Sequence, residues 1–264
     1  MELKDKVIIV TGGGSGIGAA ACRRFAQEKP AAIIVADRNQ AGAAATAATL
    51  VQHTTAQAVA CDVGVEAEVQ ALVQGAIQRF GRVDVFFANA GIALPGGLDA
   101  PNESWQRCWD VNLMAHVYAA RAVVPQMVAN GGGYFLSTAS AAGLLSHVDS
   151  PTYAVTKHGA VAFAEWLAIN HGHEGLRVSC LCPQGVRTPM LMGAEGDRKS
   201  FLQDGMLEPE QVADEIVKVI RAETFLILPH PEVADYVRHK ANDIDRWLGG
   251  MRKVKAKSRA LLGQ

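Results

Sequence analysis

Residues 7–26, VIIVTGGGSGIGAAACRRFA, place an apolar β-branched run ahead of a cluster of glycines, and an alanine-rich stretch after it. The run reads as a buried strand and the alanine-rich stretch as a helix, so the glycines occupy a strand-to-helix turn. Glycine lets a backbone turn sharply and approach a bound group closely. The amides of a helix N-terminus carry partial positive charge, and a strand–glycine–helix unit is therefore suited to a pyrophosphate. The spacing of Gly12, Gly16 and Gly18 is looser than G-x-G-x-x-G, so the motif gains its meaning from its surroundings.

Those surroundings repeat one theme. Besides KVIIV, the runs AAIIVA, AQAVAC, VDVFFA, GYFLS and LRVSCL read as buried strands, separated by Ala-rich or amphipathic segments. In one segment Val65, Val69, Leu72, Val73, Ala76, Ile77 and Phe80 recur at helical spacing. Alternation of strand and helix predicts right-handed βαβ crossovers and a parallel sheet covered on both faces. The 264 residues show no linker, repeat or low-complexity break, so one doubly wound α/β domain is expected. With 49% hydrophobic and 19% charged residues the chain can bury a large core, which excludes disorder as its main state.

A net charge of −1 gives no field to attract nucleic acid or anionic lipid, and neither is expected as a partner. No apolar run reaches membrane-spanning length. MELKDKVIIVTGGG has four apolar residues before the glycines, too few for a signal peptide. The five cysteines are odd in number and scattered, which fits a reducing, cytoplasmic setting. Cys180 and Cys182 can ligate a metal, but no second Cys or His pair stands at zinc-finger spacing. They read as buried strand residues, and no metal site is expected.

Asp37 ends the second strand, in IIVADR, about 20 residues past the glycines. A carboxylate there accepts hydrogen bonds from adenosine ribose hydroxyls and repels a 2′-phosphate, favouring NAD over NADP. Arg38 beside it is suited to holding that phosphate, to stacking over adenine, or to solvent. Further along, SPTYAVTKHG sets Tyr153 and Lys157 four residues apart, on one face of a helix. A cation near a phenol favours phenolate, so the Tyr153 pKa is expected to fall, making the hydroxyl a usable proton donor and acceptor. Such pairs also occur by chance.

Taken in order, Thr11–Gly12–x–x–x–Gly16–x–Gly18 and Tyr153–x–x–x–Lys157 make the chain resemble the short-chain dehydrogenases/reductases. The resemblance runs through residues 5–190 and implies a Rossmann-like fold. It implies a cofactor site built from Gly12, Ser15, Gly16, Ile17, Gly18, Asp37 and Arg38. Asp62 and Val63 resemble the family's adenine contact, and ANAG, with Asn89, Ala90 and Gly91, resembles its NNAG segment. Pro183, Val186 and Thr188 match the loop near the nicotinamide, where Tyr153 and Lys157 also bind. Asn112 in DVNL resembles the Asn that holds a water in a proton relay. Ser140, 13 residues before Tyr153, resembles the catalytic serine. The implied catalytic set is Asn112, Ser140, Tyr153 and Lys157.

The chain departs from the pattern in two places. CPQGVRTPM has Gln184 where the family has the Gly of Pro-Gly, adding a polar side chain near the nicotinamide, facing substrate or merely tolerated. FLILPHP lacks the Asp-Gly-Gly signature where tetramer contacts are often built, so a homodimer is the more secure expectation beside a homotetramer. The helix from Tyr153 to His171 is apolar on nearly all sides and is expected to be buried on two, by its own sheet and by another subunit or within the monomer. Residues 188–208 take the position of a substrate lid, with Met190, Leu191, Met192, Phe201, Leu202 and Met206 as apolar faces and Gly193, Gly196 and Gly205 as hinges.

With Leu144, Leu145, His147 and Val148 of the preceding loop, this predicts an apolar pocket for an uncharged alcohol or ketone, lined by Ser140, His147, Gln184, Leu191 and Met192. A lone loop histidine is also commonly just solvated. Residues 231–264 form a helical extension of unassigned placement. Its basic end, from Arg246, suits weak phospholipid or nucleic-acid contact or, more simply, solvent. The expected activity is NAD-dependent interconversion of a hydrophobic secondary alcohol and its ketone. The alternatives are NADPH-dependent ketone reduction, which Arg38 keeps open, and a dinucleotide-binding regulator without turnover, which would have no need of Ser140 and Tyr153 together.

Overall fold

The computed structural model of the protein describes residues 1–193 and 205–261. The glycine turn lies between β1 (Val7–Thr11) and α1 (Gly16–Ala26), and β2 (Ala32–Asp37), α2 (Gln40–Ala48) and β3 (Thr55–Ala60) follow. Beyond α3 (Glu66–Phe80) come β4 (Val85–Ala88), α4 (Asn102–Trp109), α5 (Ala115–Ala129) and β5 (Gly133–Thr138). Then α6 (Pro151–His171), β6 (Leu176–Leu181), α7 (Pro189–Met192), α8 (Pro209–Ala222) and β7 (Leu226–Ile227) complete the layers. All seven strands are parallel, in the order β3-β2-β1-β4-β5-β6-β7.

The chain winds outward from β1 to β3, crosses back, and continues from β4. The order therefore reverses between β1 and β4, and ligands of open α/β sheets bind in the crevice at the strand ends there. Covering both faces buries every residue of β1, β4 and β5. The two-residue period sorts their side chains. Ile9, Phe86 and Phe135 pack with α3, α5 and α6, whereas Ile8, Val10, Phe87 and Tyr134 pack with α1, α2 and α8. Phe86 and Phe135 lie opposite each other in adjacent strands and stack with centroids 5.9 Å apart.

Two expectations need correction. AQAVAC forms β3 at a sheet edge, where it is half exposed rather than buried, because only one neighbour covers it. The sequence after Pro231 is not one helix followed by a solvated tail. It breaks at Asp243, which adopts extended backbone, into α9 (Glu232–Asn242) and α10 (Ile244–Leu261), and α10 packs back on the domain. One face of α6 is covered through Ala160, Ala164 and Leu167, while Trp166 (52% exposed) and Ile169 (78%) face outward and are left uncovered within one subunit. No helix among the described residues is long and apolar enough to cross a membrane.

Phe86→Ala removes a stacked ring from a core that cannot close over the gap, so a loss of about 3–5 kcal/mol is expected. Urea unfolding should show a lower midpoint with an unchanged slope.

Candidate active site

A cavity of about 1130 Å³ opens at the strand ends where the order reverses. It runs from the glycine turn past Asp37 and Asp62, under Ser140 and Tyr153, to the face of α10. One drug-sized ligand fills roughly 300–1,000 Å³, so there is room for a dinucleotide and a second molecule together.

The glycine turn is built for close approach. Gly12 has φ +65°, and a Cβ on Gly18 would stand 2.2 Å from the Gly12 carbonyl oxygen. Gly18 is thus the packing residue that seats α1 under the loop, and it does not line the cavity itself. The first turn of α1 has no acidic residue to compete for an anion, and Ser15 at its N-cap makes no side-chain capping bond. Around the turn lies a lattice of hydrogen bonds. Thr11 Oγ1 accepts from the amides of Asn89 (3.0 Å) and Ala90 (3.2 Å). Asn89 Nδ2 donates to the Thr11 carbonyl at 3.0 Å, and Thr138 Oγ1 donates to Asn89 Oδ1 at 3.2 Å. The ends of β1, β4 and β5 are thereby held together.

Asp37 accepts from the amides of Gly14 (3.0 Å) and Asn39 (2.8 Å), which fixes its carboxylate beside the turn, while Arg38 is exposed at the rim. Asp62 pairs with Arg107 of α4 at 2.9 Å and accepts from the Gly64 amide. Burial works to raise the Asp62 pKa, but the Arg107 and Gly64 hydrogen bonds and nearby cations hold it below the usual carboxylate value.

Ser150 and Pro151 position the reacting groups. Ser150 caps α6 by accepting from the Tyr153 amide at 3.3 Å, and Pro151 occupies the first turn, where no amide is needed. Tyr153 therefore falls in the first turn, and Lys157 stands one turn on with its Nζ 5.7 Å from the phenol ring centre. Lys157 is 2% exposed and donates to the Thr138 carbonyl at 2.8 Å. Ser140 is buried just past β5, where its Oγ accepts from the Ala142 amide at 3.1 Å, and its hydroxyl acts to lower the Tyr153 pKa. A Cβ on Gly91 would lie 3.3 Å from both Lys157 Nζ and Asn112 Oδ1, so a side chain there would obstruct the cradle. The open glycine turn, the fixed Asp37 and this cradle fit an NAD(P) molecule.

The expected fall in the Tyr153 pKa does not occur in this form of the chain. Burial raises it above its ordinary value of 10, with the Ser140 hydroxyl pulling the other way. Burial likewise draws Lys157 down to about 8. The sequence revealed the pairing but not the desolvation, and here desolvation outweighs the attraction.

Asn112 also differs from expectation. It sits in a π-helical turn, Asp110–Met114, between α4 and α5. Its side chain accepts from the Ile92 amide at 2.8 Å and donates to the Ile92 carbonyl at 2.9 Å. It is buried outside the cavity lining and holds the strand-end segment in place. Met192 is buried and also off the lining, and the lid stretch with Gly196, Phe201 and Leu202 lies outside the described residues. Apart from Gly18, every other anticipated site residue lines the cavity, including Leu191, Gly16, Ile17, Val63, Pro183, Val186 and Thr188. His147 lies edge-on to Tyr153, centroids 5.8 Å apart. Gln184 donates to Glu232 Oε1 at 2.8 Å, so its amide engages the C-terminal extension. Among the described residues no group of three or more His, Cys, Asp and Glu is placed to hold a metal ion.

The profile of the family described as short chain dehydrogenase matches residues 6–199. The chain belongs to the short-chain dehydrogenase/reductase family. Membership makes it an NAD(P)-dependent oxidoreductase. It is 36% identical over 198 residues to momilactone A synthase of Oryza sativa subsp. japonica, covering 74% of this chain and 72% of that one. It is 31% identical to 1-deoxy-11-beta-hydroxypentalenate dehydrogenase of Streptomyces avermitilis, covering 94% of this chain and 93% of the relative. Among solved structures, a short-chain dehydrogenase/reductase from Burkholderia phymatum in complex with NAD superposes with a TM-score of 0.85. The identity is 30%, with 93% of this chain and 96% of that one covered.

Sequence motifs did not reveal His116, which is buried behind the site with Nδ1 2.9 Å from Ser137 Oγ and no partner for Nε2. Burial, reinforced by the Lys157 charge, lowers its pKa from 6.5 to about 3. Between those values the unfolded chain binds one more proton than the folded chain, so folded stability is lost as pH falls through that window. His116→Leu should flatten the pH dependence of the unfolding free energy there, by up to about 1.4 kcal/mol per pH unit. Urea titrations between pH 7 and pH 4 would read the slope.

Proposed function

We propose that this short-chain dehydrogenase/reductase interconverts a hydrophobic secondary alcohol and its ketone with NAD, using Tyr153 as the general acid/base. The observation that carries this reading is Tyr153, one turn from buried Lys157, lining with Ser140 the same cavity as the glycine turn. The dinucleotide supplies a hydride acceptor when bound. Gly12, Gly16 and the α1 N-terminus would receive its pyrophosphate, Asp37 its adenosine ribose, and Lys157 and Thr188 its nicotinamide end. Ser140 would donate a hydrogen bond to the substrate oxygen, holding it against Tyr153. Tyr153 would take the hydroxyl proton in oxidation and return it in reduction. Its raised pKa keeps it a protonated donor in the unliganded chain, ready for the ketone. Lys157 favours the phenolate that remains when Tyr153 gives its proton to the ketone oxygen, and that takes the hydroxyl proton in the oxidation direction.

NAD is favoured over NADP because Asp37 presents its charge where a 2′-phosphate would lie, with exposed Arg38 as the opposing feature. The outward Trp166 and Ile169 of α6 support self-association into a homodimer or homotetramer. Buried, unpaired cysteines support a cytoplasmic protein. The segment 188–208 would close over the substrate.

Tyr153→Phe keeps the ring and removes the proton carrier. NADH formation from a panel of hydrophobic alcohols, followed at 340 nm, should fall about 10²–10⁴-fold with NAD binding intact. Turnover unaffected by this change would end the acid/base assignment. Asp37→Asn removes the charge while keeping an acceptor, and should raise the NADP-to-NAD ratio of kcat/KM by at least about tenfold, or 1.4 kcal/mol.

A further inference from the structure

We propose that α10 is the far wall of the substrate site and that Gly250 sets how large an apolar alcohol the site accepts. This rests on the alcohol–ketone reading above and deepens it.

The cavity does not end at Tyr153. It continues to a face of α10 made by Asp243, Arg246, Trp247, Gly250, Met251 and Val254, residues that recur every three or four positions. That face is fixed relative to the reacting groups, because it is pinned to the loop joining Ser140 to Tyr153. Lys240 Nζ of α9 donates to the Leu144 carbonyl at 2.7 Å. Trp247 packs against the cluster of Ala141, Leu145 and Val233. Near the other end of α10, Asp149 receives Lys255 at 2.7 Å and the Ser258 hydroxyl at 2.6 Å. Ser258 is buried, so this is a docked helix and not a tail lying on the surface.

The middle of the docked helix contains Gly249 and Gly250. Glycine is the poorest helix former after proline, and adjacent glycines are expected only where the backbone or the packing demands them. Neither demand is present. Neither residue has a positive φ, and among the described residues a Cβ on either would meet nothing within 4 Å. Gly250 lines the cavity and Gly249 does not. The protein itself gains nothing from the missing side chain at Gly250, but the cavity gains volume between Trp247 and Val254, beside Met251. A fused-ring or branched hydrocarbon body, extending away from a carbinol carbon at Tyr153, matches that space. A small alcohol would not reach it.

The test compares wild type with Gly250→Leu, Gly250→Ala and, as a control on the same helix, Gly249→Leu. Each is given NAD with cyclohexanol or decahydro-2-naphthol. In Gly250→Leu the KM for the fused-ring alcohol should rise at least about tenfold. Its values for cyclohexanol and NAD should stay within about twofold of wild type, as should all values for Gly249→Leu. Gly250→Ala should raise Tm, because open space receives the methyl group and the helix gains propensity. Equal losses on both alcohols, no loss on either, or the same selectivity in Gly249→Leu would overturn the proposal.

Calorimetric binding of the same alcohols to the NAD complex separates this from the reaction assignment. Size-selective loss of binding in Gly250→Leu without turnover in any form would leave the wall standing and remove the alcohol–ketone chemistry. A wild-type complex that binds neither alcohol would overturn the wall.

Discussion

Burying the Lys157 ammonium is the constraint on which the site depends. At 2% exposure it donates to the Thr138 carbonyl at 2.8 Å, and among the described residues no carboxylate pairs with it. A buried charge so lightly compensated is costly, and the cost appears as its lowered pKa. The same charge helps to keep His116 neutral. An acidic partner would stabilise the ammonium, but it would also cancel the field that Tyr153 needs.

Holding that cation in place requires three strand ends to keep their relative positions. Thr138, which receives Lys157, also donates to Asn89, and Asn89 is tied to the carbonyl of Thr11 at the start of the glycine turn. Asn112 clamps the next segment through Ile92. The bonds of Asn89 to Thr11 and of Asn112 to Ile92 join side chain to backbone, where parallel strands have just ended and would otherwise leave peptide groups unpaired. The proton-transfer pair and the glycine turn are thus linked through a few hydrogen bonds, and each supports the placement of the other.

The C-terminal extension enlarges this site. Gln184, which departs from the family's glycine, is bonded to Glu232 at the start of α9, so the departure and the extension meet at one contact. Lys255 and Ser258 meet Asp149, only four residues before Tyr153. A basic segment that reads as solvated is in fact a docked helix, because its partner is a single carboxylate more than 100 residues earlier in the chain.

The sequence alone determined the doubly wound sheet, the glycine turn and the ordered set of Ser140, Tyr153 and Lys157. Each is written in local periodicity or in short spacing: four residues for a helical turn, two for a strand, glycine where the chain must bend. It also marked Asp37, since a carboxylate at a strand end acts through its own position. Tertiary structure decided what depends on distance along the chain. The Tyr153 pKa moves opposite to expectation because burial is a property of the whole fold. Asn112 turns to Ile92 because the π-turn aims it there. β3 is half exposed because it falls at an edge, which no strand can state about itself. The docking of α10 depends on Asp149 and on the cluster that receives Trp247, since sequence periodicity reveals a helix and its faces but not the surface that will meet them.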